Sequence, residues 1–193
     1  MPSILITLST FLALISYVVY AVAILKGEAK PHRTTRFVLV LITGLATASL
    51  FAQESTTAIW LSSAFTLGCI VIFLLSLKYG MGGWAKADLL CLAIALAGIA
   101  FWQLTNNPVY GLFSAIGADL AGQIPMLIKT YRFPHTEVWT FYFLDVVAAV
   151  LSLLALSQWT FQEFSYPFYI IFIDGITIFL ILLPRKTTLT QKS

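Results

Sequence analysis

Residues 55–77 read STTAIWLSSAFTLGCIVIFLLSL, an apolar run without a single charged side chain. A run of this kind is long enough for an α-helix that crosses a hydrocarbon core of about 30 Å. Residues 1–25 form a second charge-free run, and 60% of the 193 residues are apolar, against 11 basic and 8 acidic side chains. That is too little charge for a water-facing surface. The composition therefore predicts an integral membrane protein that is embedded in a lipid bilayer.

Hydropathy and helix breakers divide the chain into seven spans. They are predicted near residues 4–25, 36–53, 57–77, 86–104, 109–130, 137–158 and 166–183. Asn107 and Pro108 supply the turn, with N-capping potential, that separates the fourth span from the fifth. The spans are continuously apolar instead of alternating with period two, which argues against a β-barrel. The predicted fold class is all-α.

The basic residues predict one orientation for all seven spans. They follow the odd-numbered spans, at Lys26, Lys30, Arg33, Arg36, Lys78, Lys86, Lys129, Arg132, Arg185, Lys186 and Lys192. The other three connections carry no Lys or Arg. Because positive loops stay on the cytoplasmic side, we expect the N-terminus outside and the C-terminus in the cytoplasm. The first span is expected to remain as an anchor, since it lacks a basic region before its apolar run.

The chain also contains an internal repeat. Residues 26–52 align without a gap to residues 129–155, and the register matches Lys26 to Lys129, Pro31 to Pro134, His32 to His135, Leu41 to Leu144 and Ser49 to Ser152. This register predicts a first three-helix bundle over residues 1–80, a linker helix over residues 81–107, and a second bundle over residues 108–193 with a short cytoplasmic tail. An odd linker makes the two bundles parallel, and repeats of this kind generally build a site at their interface.

The stretch that begins the second repeat resembles a known motif. Residues 119–132 read Asp119-Leu-Ala-Gly-Gln123-Ile-Pro125-Met126-Leu-Ile-Lys129-Thr-Tyr-Arg132, and an aromatic-rich helix follows. This resembles the PQ-loop motif of the SWEET-like (MtN3-saliva) seven-helix transporter superfamily. Met126 stands where that family has Gln, and Val22 stands where the first half should carry a proline. The resemblance implies a transport fold with a central cavity that is lined by the first two helices of each triplet.

Three carboxyl groups lie within the predicted spans, at Asp119, Asp145 and Asp174. Insertion of an Asp at the centre of a span costs roughly 2.5–3.5 kcal/mol, so we expect all three to face a cavity or one another. Low-dielectric surroundings disfavour an ionised carboxyl group, which suits proton uptake and release or the binding of a cationic solute group. The alternative is that they are protonated or hydrogen-bonded and only hold helices together.

The fifth span carries two further candidates. Gln123 is four residues from Asp119 and shares a helix face with it and with Gly122, which leaves room for a substrate or a neighbouring backbone. Pro125 removes a backbone hydrogen bond and should bend the helix. The bend predicts either a hinge between inward-open and outward-open states or a static kink.

Hydroxyl groups accompany two of the carboxyl groups. Tyr142 lies one turn from Asp145 and Thr177 one turn from Asp174, so each is a candidate hydrogen-bond donor. The first half offers only weaker polar groups, such as Ser16, Tyr20, Thr43 and Thr47, so we expect the charge-sensitive chemistry in the second half.

The cytoplasmic loops add an expected gate and two histidines. Glu137 and Arg132 could pair in an inner gate. His32 and His135 are predicted to be solvated or helix-capping groups in preference to ligands or pH sensors.

Several function classes are excluded. A net charge of +3 spread over short loops offers no face for nucleic acid. Cys69 and Cys91 have no ligand-spaced partner and read as small buried hydrophobes. An intramembrane aspartyl protease could use Asp145 and Asp174, but Asp174 stands in Phe-Ile-Asp-Gly and lacks the Gly-x-Gly-Asp sequence of that chemistry. We therefore expect no catalytic residue, no cofactor and no metal.

Two hypotheses remain. The first is a transporter that moves a small polar solute, such as an amino acid, an amine or a sugar, by alternating access. Its substrate-binding or proton-coupling residues are predicted to be Asp119, Gln123, Tyr142, Asp145 and Asp174, with Pro125 as the hinge. The second is a receptor or accessory membrane subunit with the same fold and no transport activity. The small-residue spacings Gly44 to Ala48 and Ala93 to Ala97 are compatible with a homo-oligomer.

Overall fold

The computed structural model of this protein describes residues 2–82, 86–105 and 107–183. This part of the chain is all-helical, with seven α-helices and a short 3-10 turn at Pro134–Thr136. The helices are α1 (Pro2–Lys26), α2 (Arg33–Ala52), α3 (Ala58–Tyr79), α4 (Lys86–Thr105), α5 (Pro108–Arg132), α6 (Trp139–Leu154) and α7 (Phe161–Leu182). The predicted all-α class with seven helices is confirmed.

Four helices of the described residues are long and apolar enough to cross a bilayer, namely α1, α2, α3 and α7. Helix α6 is apolar but shorter, at 16 residues. Their outward faces carry large exposed apolar side chains, such as Phe11, Leu67 and Phe172. In water such faces would be costly, so this arrangement fits the membrane protein that the composition predicts.

Local capping explains where two helices begin. Asn107 is extended and its side-chain oxygen accepts a hydrogen bond from Val109 N at 3.0 Å, so α5 begins at Pro108. His32 stands in the same position before α2, and its Nδ1 accepts a long hydrogen bond of 3.5 Å from Thr35 N. The capping alternative for His32 is therefore confirmed, and α2 begins three residues earlier than predicted.

The boundary between α6 and α7 differs from the prediction. Helix α6 ends at Leu154 and α7 begins at Phe161, so the predicted limits at residues 158 and 166 are wrong. The carbonyl of Thr160 accepts hydrogen bonds from Glu163 N and Phe164 N at 3.1 Å each, and Glu163 in the first turn suits the helix dipole. Pro167 therefore lies inside α7 and does not mark its start.

Helix packing follows the same pattern in both halves. Helix α3 packs against α1 and α2, and α7 packs against α5 and α6. Across the centre, α1 packs against α6 and α2 against α5, while α4 packs mainly against α5. Helix α7 begins and ends 103 residues after α3 begins and ends, which is the spacing of the sequence repeat.

The connections gather at two ends of the bundle. At the end that we call the basic end (residues 27–32, 80–82 and 133–138), Lys30 N donates to Thr136 O at 3.0 Å and Met81 N donates to Pro31 O at 2.9 Å. At the opposite, acidic end (residues 53–57 and 155–160), the Glu163 carboxylate accepts from Thr56 N at 3.3 Å and Ala58 N at 3.1 Å. Hydrogen bonds thus join the two halves at both ends, between backbone groups at the basic end and through the Glu163 side chain at the acidic end.

Gly122 permits the close approach of α5 to α2. A Cβ atom at this position would lie 2.6 Å from Cγ1 of Val38, whereas a Cβ atom at Gly117 on the same helix would have nothing within 4 Å. Of the two expected uses of Gly122, the structure shows the contact with a neighbouring helix.

We expect Gly122→Ala to lower the melting temperature in detergent by several degrees, because Val38 must move in a closely packed contact. Gly117→Ala is the matched control, and it should leave the melting temperature unchanged or raise it through helix propensity. Equal melting temperatures for the two variants would contradict the assigned contact.

Candidate functional site

One cavity at the centre of the bundle collects the predicted site residues. Asp119 and Gln123 reach it from α5, Tyr142 and Asp145 from α6, and Asp174 from α7. All five side chains are buried. The structure therefore brings together residues that lie as far as 55 positions apart in the sequence.

Aromatic rings form much of the remaining wall. The Tyr17 ring lies edge-on to Phe141 at 5.2 Å and to Phe65 at 5.9 Å, measured between ring centroids. Tyr166 and Tyr169 of α7 also line the cavity. These rings were not anticipated from the sequence, because tyrosine and phenylalanine within an apolar span read equally well as lipid-facing residues.

The cavity is small in this conformation. The space open to the centres of water-sized spheres is about 40 Å³. One water molecule needs roughly 10–15 Å³ on this measure, so there is room for a few waters or a small ion. A larger solute requires the surrounding helices to move.

Asp145 is bound to the opposite half of the protein. Its Oδ1 accepts a short hydrogen bond from the Ser16 hydroxyl, which joins α1 to α6. The predicted donor was Tyr142, and that prediction is wrong, because the Tyr142 hydroxyl points to Glu137 at 2.8 Å. Thr177, the predicted donor to Asp174, instead donates to Ile173 O at 2.9 Å.

The repeat explains why Asp119 has no corresponding bond. In the 103-residue register, Ser16 matches Asp119 and Asp145 matches Ile42. The pair equivalent to Ser16 and Asp145 is therefore Asp119 and Ile42, and the isoleucine has no hydrogen-bond donor to offer the carboxyl group. Asp119 Oδ1 has no hydrogen-bond partner among the described residues.

Other polar atoms on the cavity wall also lack a hydrogen-bond partner among the described residues. They are Gln123 Oε1, the hydroxyls of Tyr166 and Tyr169, and Arg36 Nε. The Tyr169 hydroxyl lies beside the Asp119 carboxyl and the Tyr166 hydroxyl lies beside Ser62, but neither hydroxyl has a partner at the distance and angle of a hydrogen bond. Because buried polar groups in native proteins are nearly always paired with protein or water, this set marks a place for water or a ligand.

The charges around the cavity are unequal. Buried charged side chains among the described residues are Arg36, Lys129, Glu137, Asp119, Asp145 and Asp174. Because Glu137 is paired with Lys129, Arg36 is the remaining positive charge that can balance the three aspartates. Asp174 is close enough to Asp145 and Asp119 for mutual repulsion. Three ionised aspartates would leave the site strongly negative, so electroneutrality requires bound protons or another cation.

A buried network separates the cavity from the basic end. The Glu137 carboxylate forms an ion pair with Lys129 and accepts hydrogen bonds from the hydroxyls of Tyr20 at 2.7 Å and Tyr142 at 2.8 Å. Arg36 donates to the same two hydroxyls at 3.2 and 3.5 Å, and its guanidinium carbon lies 4.9 Å from the centroid of the Tyr20 ring. We call these five side chains the Glu137 network.

The Glu137 network joins both halves of the chain. Tyr20 and Arg36 come from α1 and α2, whereas Lys129 and Tyr142 come from α5 and α6. Lys129 Nζ also donates to the backbone carbonyl of Lys30 at 2.7 Å, which ties α5 to the loop after α1. The network therefore joins the four central helices on the side of the basic end.

Burial alone would raise the pKa of Glu137, but the Lys129 ammonium and the Arg36 guanidinium outweigh it. The pKa of Glu137 therefore lies below its ordinary value. The hydrogen bonds from Lys129 and Tyr20 act in the same direction, since they stabilise the ionised form.

Several of these residues were missed or misassigned from the sequence. The sequence prediction named Arg132 as the partner of Glu137 and did not include Lys129, which forms an ion pair with Glu137 in the structure. The expectation that the first half supplies only weak polar groups is wrong at Arg36, which is 3% exposed. The sequence did contain a signal for Arg36. A cation in the first turn of a helix is repelled by the helix dipole, so its presence there indicates another stabilising interaction.

Cys69 is buried, as predicted, and its Sγ lies 3.4 Å from the Tyr17 hydroxyl on the cavity wall. The side chain of Cys91 lies outside the part of the chain that the structure describes.

Comparison with protein-family models, with curated proteins and with solved structures finds no match to this chain. The functional assignment therefore rests on the geometry of the cavity and of the Glu137 network.

The lowered pKa of Glu137 predicts an acid-sensitive fold. A depressed carboxyl pKa adds stability at neutral pH, and this contribution is lost as pH falls below the ordinary glutamate value of about 4.3. We expect the melting temperature of the wild type to fall between pH 5 and pH 3, and that of Glu137→Gln to start lower and fall less. Parallel pH profiles for the two proteins would contradict this role of Glu137.

Proposed function

We propose that this protein is a transporter that moves a small polar solute across a membrane by alternating access. The observation that carries the proposal is the central cavity, whose carboxyl, amide and hydroxyl groups lie between two sets of helices that contact each other at both ends. A purely architectural core would not leave so many buried polar atoms without partners.

The proposed architecture has two parallel three-helix bundles, residues 1–80 and 108–193, joined by a linker helix within residues 81–107. Two observations support it: α3 and α7 each pack against the other two helices of their own bundle, and the bounds of α7 repeat those of α3 at the register of the sequence. We further propose that all seven helices cross the bilayer, with the N-terminus outside and the basic end in the cytoplasm. The proposed relationship to the SWEET-like superfamily is in keeping with this plan.

In the proposed cycle, the conformation described here is closed at both ends. Opening toward the cytoplasm requires the Glu137 network to separate, and opening outward requires Glu163 to release the start of α3. Pro125 lies between Gln123 at the cavity and Lys129 in the network, so a hinge there would move the network relative to the cavity. Pro167 lies between Glu163 and Tyr169 in α7 and could serve the acidic end in the same way.

The alternative is a receptor or accessory subunit with the same fold. It is favoured by the small volume of the cavity and by the strength of the buried network, which would suit a protein that stays closed. Transport and binding assays separate the two.

We expect purified protein in proteoliposomes to take up at least one radiolabelled probe from a panel of methylamine, alanine and glucose. Asp119→Asn should reduce uptake at least tenfold, which corresponds to a barrier higher by about 1.4 kcal/mol or more, because the substitution removes a buried charge at the solute site. Glu28→Gln changes an exposed loop carboxylate in the same way and should leave uptake unchanged. A wild type that takes up none of the probes yet binds one tightly would favour the receptor.

Proton coupling makes a separate prediction. If an aspartate carries a coupling proton, collapse of the pH gradient should also stop uptake.

Cys69 provides a native reporter for opening of the basic end. In a Cys91→Ala background, we expect the additional change Glu137→Gln to speed the reaction of Cys69 with a small methanethiosulfonate reagent by about tenfold or more. Removal of one partner from a buried ion pair costs about 3–5 kcal/mol, and this loss favours the open state. Glu28→Gln is the matched control. An unchanged rate in Glu137→Gln would remove the network from the gating scheme.

A further inference from the structure

The aspartates of the cavity differ in their partners: Ser16 donates a hydrogen bond to Asp145, whereas Asp119 Oδ1 has no partner among the described residues. We propose that Asp119, Gln123, Tyr166 and Tyr169 form a subsite for a compact monovalent cationic centre, which is either an alkali-metal ion such as Na⁺ or the ammonium group of a solute. The subsite deepens the proposed transport function by naming the chemistry that the cavity recognises.

The first support is the set of unpartnered oxygen atoms. Asp119 Oδ1, Gln123 Oε1 and the hydroxyls of Tyr166 and Tyr169 have no hydrogen-bond partner among the described residues. Each of these side chains is at least nine-tenths buried, with exposed fractions between 4% and 7%. All four line the same cavity, two from α5 and two from α7.

The second support is that every one of these atoms can accept. A carboxylate oxygen and an amide oxygen accept only, and a tyrosine hydroxyl accepts or donates. An ammonium group presents three donors and a positive charge, and Na⁺ is held by oxygen atoms alone. Either centre satisfies several of these atoms at once, whereas an anion would meet the three carboxyl groups and be repelled.

The third support is the charge balance. With Lys129 paired to Glu137, Arg36 is the one cation that faces Asp119, Asp145 and Asp174 among the described buried groups. Asp145 is already engaged by Ser16, and Nη2 of Arg36 is held by Tyr20 and Tyr142, although its Nε has no partner among the described residues. Among the three aspartates of the described cavity wall, Asp119 alone has a fully buried oxygen atom without a hydrogen-bond partner, so we assign the cation to it.

The cavity also has the size for such a centre. Its 40 Å³ of open space admits an ion with a few waters, or a methylammonium-sized group, without opening either end. Binding should thus occur in the closed conformation.

The test is direct binding of ²²Na⁺ and of ¹⁴C-methylammonium to purified protein in detergent, with choline chloride to hold the ionic strength constant. We expect saturable binding of at least one of the two probes. Asp119→Asn should weaken it at least about tenfold, because it removes a charge-assisted contact. Tyr169→Phe removes only a hydroxyl, so it should preserve the fold and weaken binding about two- to tenfold.

Tyr110→Phe is the matched control, since Tyr110 lies near the start of α5, is exposed and does not line the cavity. It should bind as the wild type does. Saturation by Na⁺ alone identifies an ion site, and saturation by methylammonium alone identifies the ammonium group of a solute. The proposal is overturned if the wild type shows no saturable binding of either probe, or if Tyr169→Phe and Tyr110→Phe bind equally.

The result of the binding experiment does not depend on whether the protein transports a solute. A protein that binds the cation and takes up no solute would retain the subsite and lose the transporter, whereas a protein that takes up a neutral solute without binding either cation would retain the transporter and lose the subsite.

Discussion

The fold depends on how a carboxylate is kept ionised in an apolar interior. Glu137 is 5% exposed, and an uncompensated charge at such a place costs several kcal/mol. Lys129, Tyr20 and Tyr142 together satisfy it, and Arg36 binds the two tyrosines in turn. These partners come from α1, α2, α5 and α6. The groups that stabilise the Glu137 carboxylate therefore also hold the two halves of the protein in their relative position.

The same constraint makes the two ends of the bundle unequal. At the basic end the halves are joined by a buried ion pair with side-chain hydrogen bonds around it, whereas at the acidic end Glu163 accepts from two backbone N–H groups near the surface. Glu163 is half-buried, so water can compete for its hydrogen bonds more readily than for the buried ones at the basic end. Between the ends, Ser16 binds Asp145, and the other two carboxyl groups of the cavity are left to water, protons or a bound cation.

Much of the fold follows from the sequence, because a lipid-length apolar run has few alternatives to a helix. The predicted helices and the candidate residues Asp119, Gln123, Asp145 and Asp174 needed only hydropathy and the rarity of buried charge. The members of the Glu137 network and the hydrogen-bond partner of Asp145 were not accessible in the same way. Lys129 and Arg36 lie at helix ends, where a cation reads as a loop residue, and the choice of Ser16 over Tyr142 as the donor to Asp145 depends on how α1 packs against α6. The start of α7 was placed five residues too late, because hydropathy locates the existence of a helix better than its ends.

Distances between spin labels at the two ends would test alternating access most directly. One pair, at Glu28 and Phe133, reports on the basic end, and a second pair, at Thr56 and Gln158, reports on the acidic end; all four positions are exposed. The account predicts two populations in lipid, in which the distance is long at one end and short at the other, and a shift between them when Glu137 is replaced by Gln. A single distance at each end that is unchanged in the variant would contradict it.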